Sequence, residues 1–220
     1  MASVHCVVTA GPTYEPLDSV RRLTNFSTGR LGSELAHFLS DHGHQVTLLL
    51  GEHSTYQPGL QKFEVFGTTT DLEEKLRLAA QGPVDAVFHA AAVSDFKFGK
   101  IMHRAENGEL TEVASAKIST REGTLLAELV PTVKIISRLR KWFPDARLIG
   151  WKFEVEGERE RVIGAALRQI AECGTDACVA NGTGYGAGFG LVTLQNPAIH
   201  LADKAALFEA LLKFALARKV

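Results

Sequence analysis

The chain has 220 residues, 45% of them hydrophobic, which is enough to bury a full core as one domain. Its formal net charge of −1 at pH 7 gives no general attraction to nucleic acid or to an anionic membrane surface, so neither is an expected partner. The sequence has no apolar run of transmembrane length and no signal-peptide pattern, so we expect a cytoplasmic protein.

A β-loop-α-β unit opens the chain. Residues 5–9 form an apolar, β-branched run that predicts a buried strand, and the turn residues at 10–13 end it. A helix is expected next because apolar side chains recur at helical spacing, at Leu31, Leu35, Phe38 and Leu39. Gly43 ends this helix and residues 45–51 form the following strand, so the two strands should be parallel, with a right-handed crossover.

The start of this predicted helix has the features of an anion-binding site. Ser27 and Thr28 are residue types that cap helix N-termini, and Gly29 and Gly32 would let a phosphate or a backbone segment approach closely. Gly11 lies too far before Gly29 in the sequence for the dinucleotide fingerprint G-x-G-x-x-G. The loop between the first strand and the helix is therefore long, and a loop of this length is usually functional. The alternative is that Gly29 and Gly32 only pack the helix against the strand.

The remainder of the chain continues the alternation of strands and helices. Strands are predicted at residues 62–66, 84–92, 125–130, 146–151, 176–181, 191–195 and 199–201, and helices at 71–80, 133–143, 159–173 and 203–218. A polar stretch at 94–122 interrupts this rhythm. The pattern predicts a single domain over residues 1–220 with a Rossmann-like, doubly wound α/β fold. Its sheet should be mainly parallel, with helices on both faces and a small β addition near the C-terminus.

A second candidate site follows the predicted strand at 84–92, in the segment AAAVSDFK at residues 90–97. Ligands of open α/β sheets bind beyond the carboxyl ends of the strands, where the strand order reverses. The small side chains of Ala91 and Ala92 would let a nucleotide approach, and Asp95 could bind ribose hydroxyls or a hydrated cation. Alternatively, the alanines merely pack and Asp95 caps a turn.

No metal site can be assigned from the sequence. The eight histidines have no ligand spacing. Cys6, Cys173 and Cys178 lack C-x-x-C spacing and are expected to be reduced thiols in the core. The glycine-dense segment at 182–190 leads into a strand rather than a helix, so we expect a flexible rim there and not a phosphate cradle.

Residues 9–32, TAGPTYEPLDSVRRLTNFSTGRLG, resemble the opening motif of the phosphopantothenate–cysteine ligases, also called phosphopantothenoylcysteine synthetases. The matching positions are Thr9, Ala10, Gly11, Thr13, Glu15, Pro16, Asp18, Val20, Arg21, Asn25, Ser27, Gly29 and Gly32. Residues 91–96 resemble that family's A-A-V-A/S-D-Y/F/W pattern. The resemblance spans most of the chain and is densest at residues 7–51 and 84–97.

The resemblance implies a ligase of coenzyme A biosynthesis that joins 4′-phosphopantothenate to L-cysteine. In that family the substrate carboxylate attacks the α-phosphorus of CTP or ATP, assisted by Mg²⁺, and releases pyrophosphate. The amine of cysteine then displaces the nucleotide from the acyl-nucleotidylate. CTP is the favoured expectation, although base choice depends on loop shape that the sequence leaves open. The resemblance also implies that this chain needs no FMN, since flavin belongs to the decarboxylase domain of bifunctional members.

The same resemblance implies that Asn25 and Lys117 are the catalytic residues. Lys117 would offset charge that develops at the α-phosphorus, and Asn25 would hold the acyl part of the intermediate through its amide donors. The implied nucleotide-binding residues are Gly11, Ser27, Thr28, Gly29, Gly32, Ala91, Ala92, Asp95, Phe96, Lys117 and Trp151; Asn25 and Ala92 would also bind substrate. Trp151 would lie beside the base, although an aromatic residue at a strand end is often simply core.

Two other functions stay open. A non-catalytic nucleotide-binding relative would fit the departures from the family pattern after Lys117 and at Gly182. An NAD(P)-dependent short-chain reductase would need a Tyr-x-x-x-Lys pair, but no tyrosine of this chain is followed by lysine at that spacing. The expected partners are small molecules and a second copy of the chain, with residues 191–201 as the candidate dimer contact.

Overall fold

The computed structural model describes residues 3–60, 62–113, 118–119, 123–195 and 198–217. The strands are β1 (His5–Ala10), β2 (Tyr14–Pro16), β3 (Arg22–Thr24), β4 (Gln45–Gly51), β5 (Glu64–Phe66), β6 (Ala86–His89), β7 (Phe96–Arg104), β8 (Leu110–Glu112), β9 (Thr124–Pro131), β10 (Arg147–Phe153), β11 (Ala177–Asn181), β12 (Phe189–Val192) and β13 (Ile199–Leu201). The helices are α1 (Arg30–Asp41), α2 (Thr69–Ala79), α3 (Leu139–Trp142), α4 (Arg159–Cys173) and α5 (Lys204–Leu216). Within these ranges, no helix is long and apolar enough to cross a membrane.

The central sheet has eight strands in the order β13-β12-β11-β10-β6-β1-β4-β5. The six strands from β11 to β5 are parallel. At one edge, β12 and β13 add in antiparallel orientation. The strand order reverses between β1 and β6, and in such sheets the ligand crevice lies beyond the carboxyl ends of the strands at this point. The predicted Rossmann-like fold is therefore confirmed.

Alternate side chains of the central strands enter two cores on opposite faces of the sheet. Val8 belongs to the core that α1 and α5 cover, together with Leu35 and Leu211. Val7 points to the other face, where it packs in the core that includes Leu72 of α2. Helix α4 covers β11 and β12 on that second face through residues such as Ile170. This two-sided burial explains why the β1 sequence is almost continuously apolar.

The structure differs from the predicted elements in three segments. The loop predicted between the first strand and α1 contains β2 and β3, which pair as a two-stranded antiparallel sheet. The helix predicted at 133–143 is a 3₁₀ turn, Ile135–Arg138, followed by the single turn of α3. Ser137 donates both its N–H and its hydroxyl to the carbonyl of Lys134, a local bonding pattern that competes with a regular α-helix. The polar stretch contains β7 and β8, which pair with β9 in a separate three-stranded sheet. These strands are largely exposed, so they lack the apolar alternation by which strands are recognised.

Candidate active site

A cleft of about 580 Å³ opens at the carboxyl edge of the parallel sheet, beyond β6 and β10. Residues 131–136 form one wall and α4 forms the other. The cleft brings together Ala91, Asp95 and Trp151, three members of the nucleotide-binding set predicted from the sequence. Its position beside the reversal of strand order is where ligands of this architecture bind.

The rim of the cleft carries charged groups that the sequence analysis did not identify. The Lys134 ammonium lies 4.0 Å from the Glu172 carboxylate, and both side chains are more than 60% exposed, so this ion pair is weak. Arg168 also lines the cleft, and no ion pair of the described residues includes it. The cleft is also lined by Asp95 and by Lys152, which is paired with Glu154 over 3.0 Å. Lys134 and Arg168 are therefore the cations that the rim can offer to a bound polyanion.

The start of α1 is built on glycine, and its N-cap is Gly29 rather than Ser27 or Thr28. Gly29 has a φ of 75° and Gly11 a φ of 82°, both in the left-handed region that favours glycine. A side chain at Gly11 would begin 2.0 Å from the Ser54 hydroxyl oxygen, and one at Gly29 would begin 2.6 Å from it. The predicted cap residues thus precede the cap, because Gly29 alone fits the conformation required there.

Ser54 covers the pair of glycines at the start of α1. Its hydroxyl oxygen is enclosed and has no hydrogen-bond partner among the described residues. The segment that carries it is tied to the α1 loop, since the Tyr56 N–H donates to the Thr28 carbonyl over 3.1 Å. The close approach of Ser54 therefore requires glycine at positions 11 and 29, independently of any ligand.

Gly32 has a packing role. A Cβ atom there would begin 2.7 Å from the Cβ of Ala10 and 3.1 Å from the carbonyl oxygen of Thr9. Helix α1 therefore lies directly on β1 at this residue. This contact supports the alternative given in the sequence analysis, namely that Gly32 packs the helix against the strand.

Asn25 joins the two candidate sites. Its Nδ2 donates to the carbonyl oxygens of Ala92, over 3.3 Å, and Val93, over 3.1 Å. The Thr13 N–H donates to the same Ala92 carbonyl over 3.1 Å. Both amide hydrogens of Asn25 are thus engaged by backbone, which leaves Oδ1 as the group that it can offer a ligand. The sequence analysis had instead assigned its ligand contact to the amide donors.

Lys117 lies outside the described residues, but the residue after it is well placed. Ile118 is buried, its N–H donates to the Asp18 carboxylate over 3.2 Å, and its carbonyl accepts from the Arg21 guanidinium over 2.6 Å. The N–H of Val20 also bonds Asp18 and holds the pKa of that carboxyl below its usual range. Two residues of the opening motif therefore dock the segment that follows Lys117.

Of the two aromatic residues predicted for the site, Trp151 lines the cleft and Phe96 does not. Phe96 begins β7 and is 45% exposed. The indole nitrogen of Trp151 is enclosed and has no hydrogen-bond partner among the described residues. The sequence favours a core position for His89 in a central strand rather than a role as a base; the structure leaves it only 6% exposed but places it in the lining of the cleft. The one sequence signal for this place was a polar side chain at the end of an apolar strand.

The fold and the cleft define a doubly wound α/β domain with its ligand crevice at the reversal of strand order. The chain belongs to the family described as the DNA/pantothenate metabolism flavoprotein C-terminal domain, whose model matches residues 1–220. This match confirms the family resemblance noted in the sequence.

Individual relatives agree with this assignment. The Coenzyme A biosynthesis bifunctional protein CoaBC of Thermococcus kodakarensis is 35% identical over 176 residues, which cover 80% of this chain and 40% of that protein. The crystal structure of the DNA/pantothenate metabolism flavoprotein from Streptococcus pneumoniae superposes with a TM-score of 0.83 at 26% identity, covering 96% of this chain and 98% of that one. A Cab2 variant in complex with phosphopantothenate-cysteine shares the fold, with a TM-score of 0.70 at 19% identity and coverage of 97% and 85%. The chain thus spans less than half of the Thermococcus protein.

Proposed function

We propose that this chain is a phosphopantothenate–cysteine ligase that uses CTP in preference to ATP. The observation that carries the proposal is the meeting of the two motif-rich stretches at one edge of the sheet. Asn25 and Thr13 of the first stretch both bond the Ala92 carbonyl of the second. The family match over the whole chain and the coenzyme A biosynthesis relatives support the same assignment.

The proposed reaction has two steps. The carboxylate of 4′-phosphopantothenate forms a bond to the α-phosphorus of the nucleotide, and pyrophosphate leaves. The cysteine amine then forms a C–N bond with the acyl carbon, loses a proton and releases the nucleoside monophosphate. Such chemistry needs positioned reactants and stabilised charge rather than a protein nucleophile. Lys134 and Arg168 would bind the phosphates at the rim, and Lys117 would serve the first step.

Asn25 would hold the pantothenoyl part of the intermediate. Because its Nδ2 is bound to two carbonyls, its Oδ1 is oriented and would accept from an amide N–H or hydroxyl of the acyl chain. A substitution by aspartate keeps the shape but places a carboxylate oxygen opposite these carbonyls. The side chain should then turn away, and the acyl group should lose its position.

Mg²⁺ would enter with the nucleotide. The described residues contain no group of three or more His, Cys, Asp or Glu side chains that could hold a metal by themselves. Magnesium in nucleotide sites is commonly held by one or two carboxylates together with phosphate oxygens, and Asp95 is an exposed carboxylate in the cleft. The residues present therefore fit an ion that is bound mainly by its substrate.

Three further expectations belong to this proposal. We propose that catalysis needs no FMN, that the protein acts in the cytoplasm, and that it forms a homodimer through residues 191–201. Exposed Leu194 and Ile199, which are 59% and 54% accessible, support the last of these. Residues 196–197 of that segment lie outside the described residues.

The test is pyrophosphate release by the purified protein with Mg²⁺, 4′-phosphopantothenate and either CTP or ATP, with and without cysteine. Lys117→Gln should slow release by about 10²- to 10³-fold, as expected for a lost charge-stabilising group. Asn25→Asp should lower formation of phosphopantothenoylcysteine by about 10²-fold, because a displaced reactant has this order of effect. Lys213→Gln, at an exposed position of α5, is the matched control and should keep full activity.

The outcomes separate the candidate functions. Release that requires phosphopantothenate and is lost in Lys117→Gln would support the ligase and identify its nucleotide. A protein that binds CTP or ATP without turning either over would be a non-catalytic relative, and the roles given to Asn25 and Lys117 would be wrong.

A further inference from the structure

His89 lies at the floor of the cleft, and its ring is held by one specific contact. Its Nδ1 is 3.0 Å from the hydroxyl oxygen of Thr9, which is completely buried. The same hydroxyl oxygen accepts the N–H of Ala91 over 3.1 Å. These two bonds connect β1, β6 and the start of the alanine-rich motif.

The contact determines which nitrogen of His89 carries hydrogen. The Thr9 oxygen already accepts from Ala91, and among the described residues its own hydrogen has no acceptor other than Nδ1. A buried hydroxyl without an acceptor is costly, so Thr9 donates and Nδ1 accepts. The ring is then a neutral imidazole with its hydrogen on Nε2. Burial also lowers the pKa of His89 to about 4, which keeps it neutral at physiological pH.

The surroundings leave this Nε2–H directed at the cleft. In the sheet, the register partner of His89 is Thr9 in the neighbouring strand β1 and Gly150 in the neighbouring strand β10. A side chain at Gly150 would begin 2.7 Å from Ile136 and 2.6 Å from Gln169, so these two residues close that flank. Among the described residues, Nε2 has no hydrogen-bond partner and is not fully enclosed by protein. His89 lines the cleft, so this atom is accessible from there.

The kind of ligand group that suits this position is uncharged. The lining close to His89 consists of the apolar side chains of Ala91, Val93 and Ile136 and the uncharged amide of Gln169. Lys134 and Arg168 are exposed and lie at the rim. A phosphate beside His89 would lose its hydration, and the other cation of the lining, Lys152, is already paired with Glu154 over 3.0 Å, so this position is unfavourable for a phosphate. A flat heterocycle with acceptor atoms would instead be compatible with the floor and with the aromatic ring of Trp151.

We propose that His89 is a nucleobase-recognition residue, whose Nε2–H donates to a ring nitrogen or carbonyl of the bound nucleotide. Thr9 is its positioning residue, because it holds the ring in the tautomer that can donate. This inference rests on the proposed function for its ligand, and it adds the group by which the cleft distinguishes a base from a bare polyphosphate.

The experiment measures dissociation constants of CTP, ATP and inorganic tripolyphosphate by calorimetry, on His89→Met, His89→Gln, Thr9→Val and Thr9→Ser. Loss of one neutral hydrogen bond should weaken the preferred nucleotide about tenfold in His89→Met, with tripolyphosphate unchanged. His89→Gln, which retains an N–H near the Nε2 position, should recover part of this loss. Thr9→Val should weaken the nucleotide in the same direction, and Thr9→Ser should bind it as the wild type does.

Each result decides the matter in one direction. Equal nucleotide affinity in wild type and folded His89→Met, or equal weakening of tripolyphosphate, would overturn the proposal. In the pyrophosphate-release assay, a His89→Met variant whose Michaelis constant rises for phosphopantothenate alone would also overturn the proposal, because His89 would then contact phosphopantothenate rather than the nucleotide. If His89→Met fails to show a cooperative thermal transition, the Gln and Thr9 variants decide instead. Nucleotide binding that depends on His89 without turnover would refute the ligase but not this inference.

Discussion

The contact between α1 and β1 at Gly32 gives a prediction whose sign can be worked from the structure. In Gly32→Ala, the new methyl group would begin 2.7 Å from the Cβ of Ala10, which is fully buried and belongs to a central strand. Neither atom is the end of a flexible side chain, so the helix must move away from the sheet. Overpacking of this kind costs about 1–3 kcal/mol. Replacing glycine inside a helix returns about 0.5–1 kcal/mol, so the free energy of unfolding should fall by about 0–2.5 kcal/mol, with a central value of about 1 kcal/mol.

The matched control is Gly164→Ala in α4. A methyl group there would meet only the Arg168 guanidinium, at an ordinary contact distance of 3.7 Å. This variant should therefore gain about 0.5–1 kcal/mol from helix propensity alone. Thermal and urea unfolding of the two variants should move in opposite directions, with Gly32→Ala melting roughly 2–4 °C below wild type for each kcal/mol of stability lost. If both substitutions stabilise the protein, the close packing of α1 on β1 is wrong.

Three further predictions concern two buried ionisable groups and one partly buried ion pair. Burial raises the pKa of the Cys178 thiol to about 12 from an ordinary 9.0, so its contribution to stability, present below pH 9, should be lost as the pH rises toward 12. Because burial raises the pKa of Cys6 in the same way, alkaline unfolding of Cys178→Ala should still show a loss of stability in this range, with a slope shallower than that of wild type by about 1.4 kcal/mol per pH unit. Because the pKa of His89 is lowered from 6.5 to about 4, wild type should lose stability relative to His89→Met as the pH falls from 6.5 to 4, and parallel acid-unfolding curves would contradict this. Arg140 bonds the Asp176 carboxylate and four backbone carbonyls, so Arg140→Met should lower the free energy of urea unfolding by about 2–3 kcal/mol, and Arg140→Lys should recover only part of it. Full recovery by lysine would mean that charge, not the guanidinium geometry, matters there.

Much of the fold was readable from the sequence, because its strands and helices carry strong local patterns. The apolar run at residues 5–9 reflects a strand buried on both faces, and the apolar spacing from Leu31 to Leu39 reflects a helix with one buried face. The exposed strands β7 and β8 were missed, because their pairing is set by β9 rather than by burial. The 3₁₀ turn at Ile135–Arg138 was predicted as part of an α-helix, because the apolar spacing there resembles that of a short helix.

The sequence by itself determined the fold class, the family and two of the segments that form the site. Periodic burial and specific short motifs are properties of neighbouring residues, so they can be read along the chain. Only the tertiary structure decided that Asn25 bonds Ala92, that Ser54 covers Gly11 and Gly29, and that Thr9 orients His89. These contacts join residues up to 80 positions apart, and they depend on the order in which the strands are placed in the sheet. No local pattern contains that order.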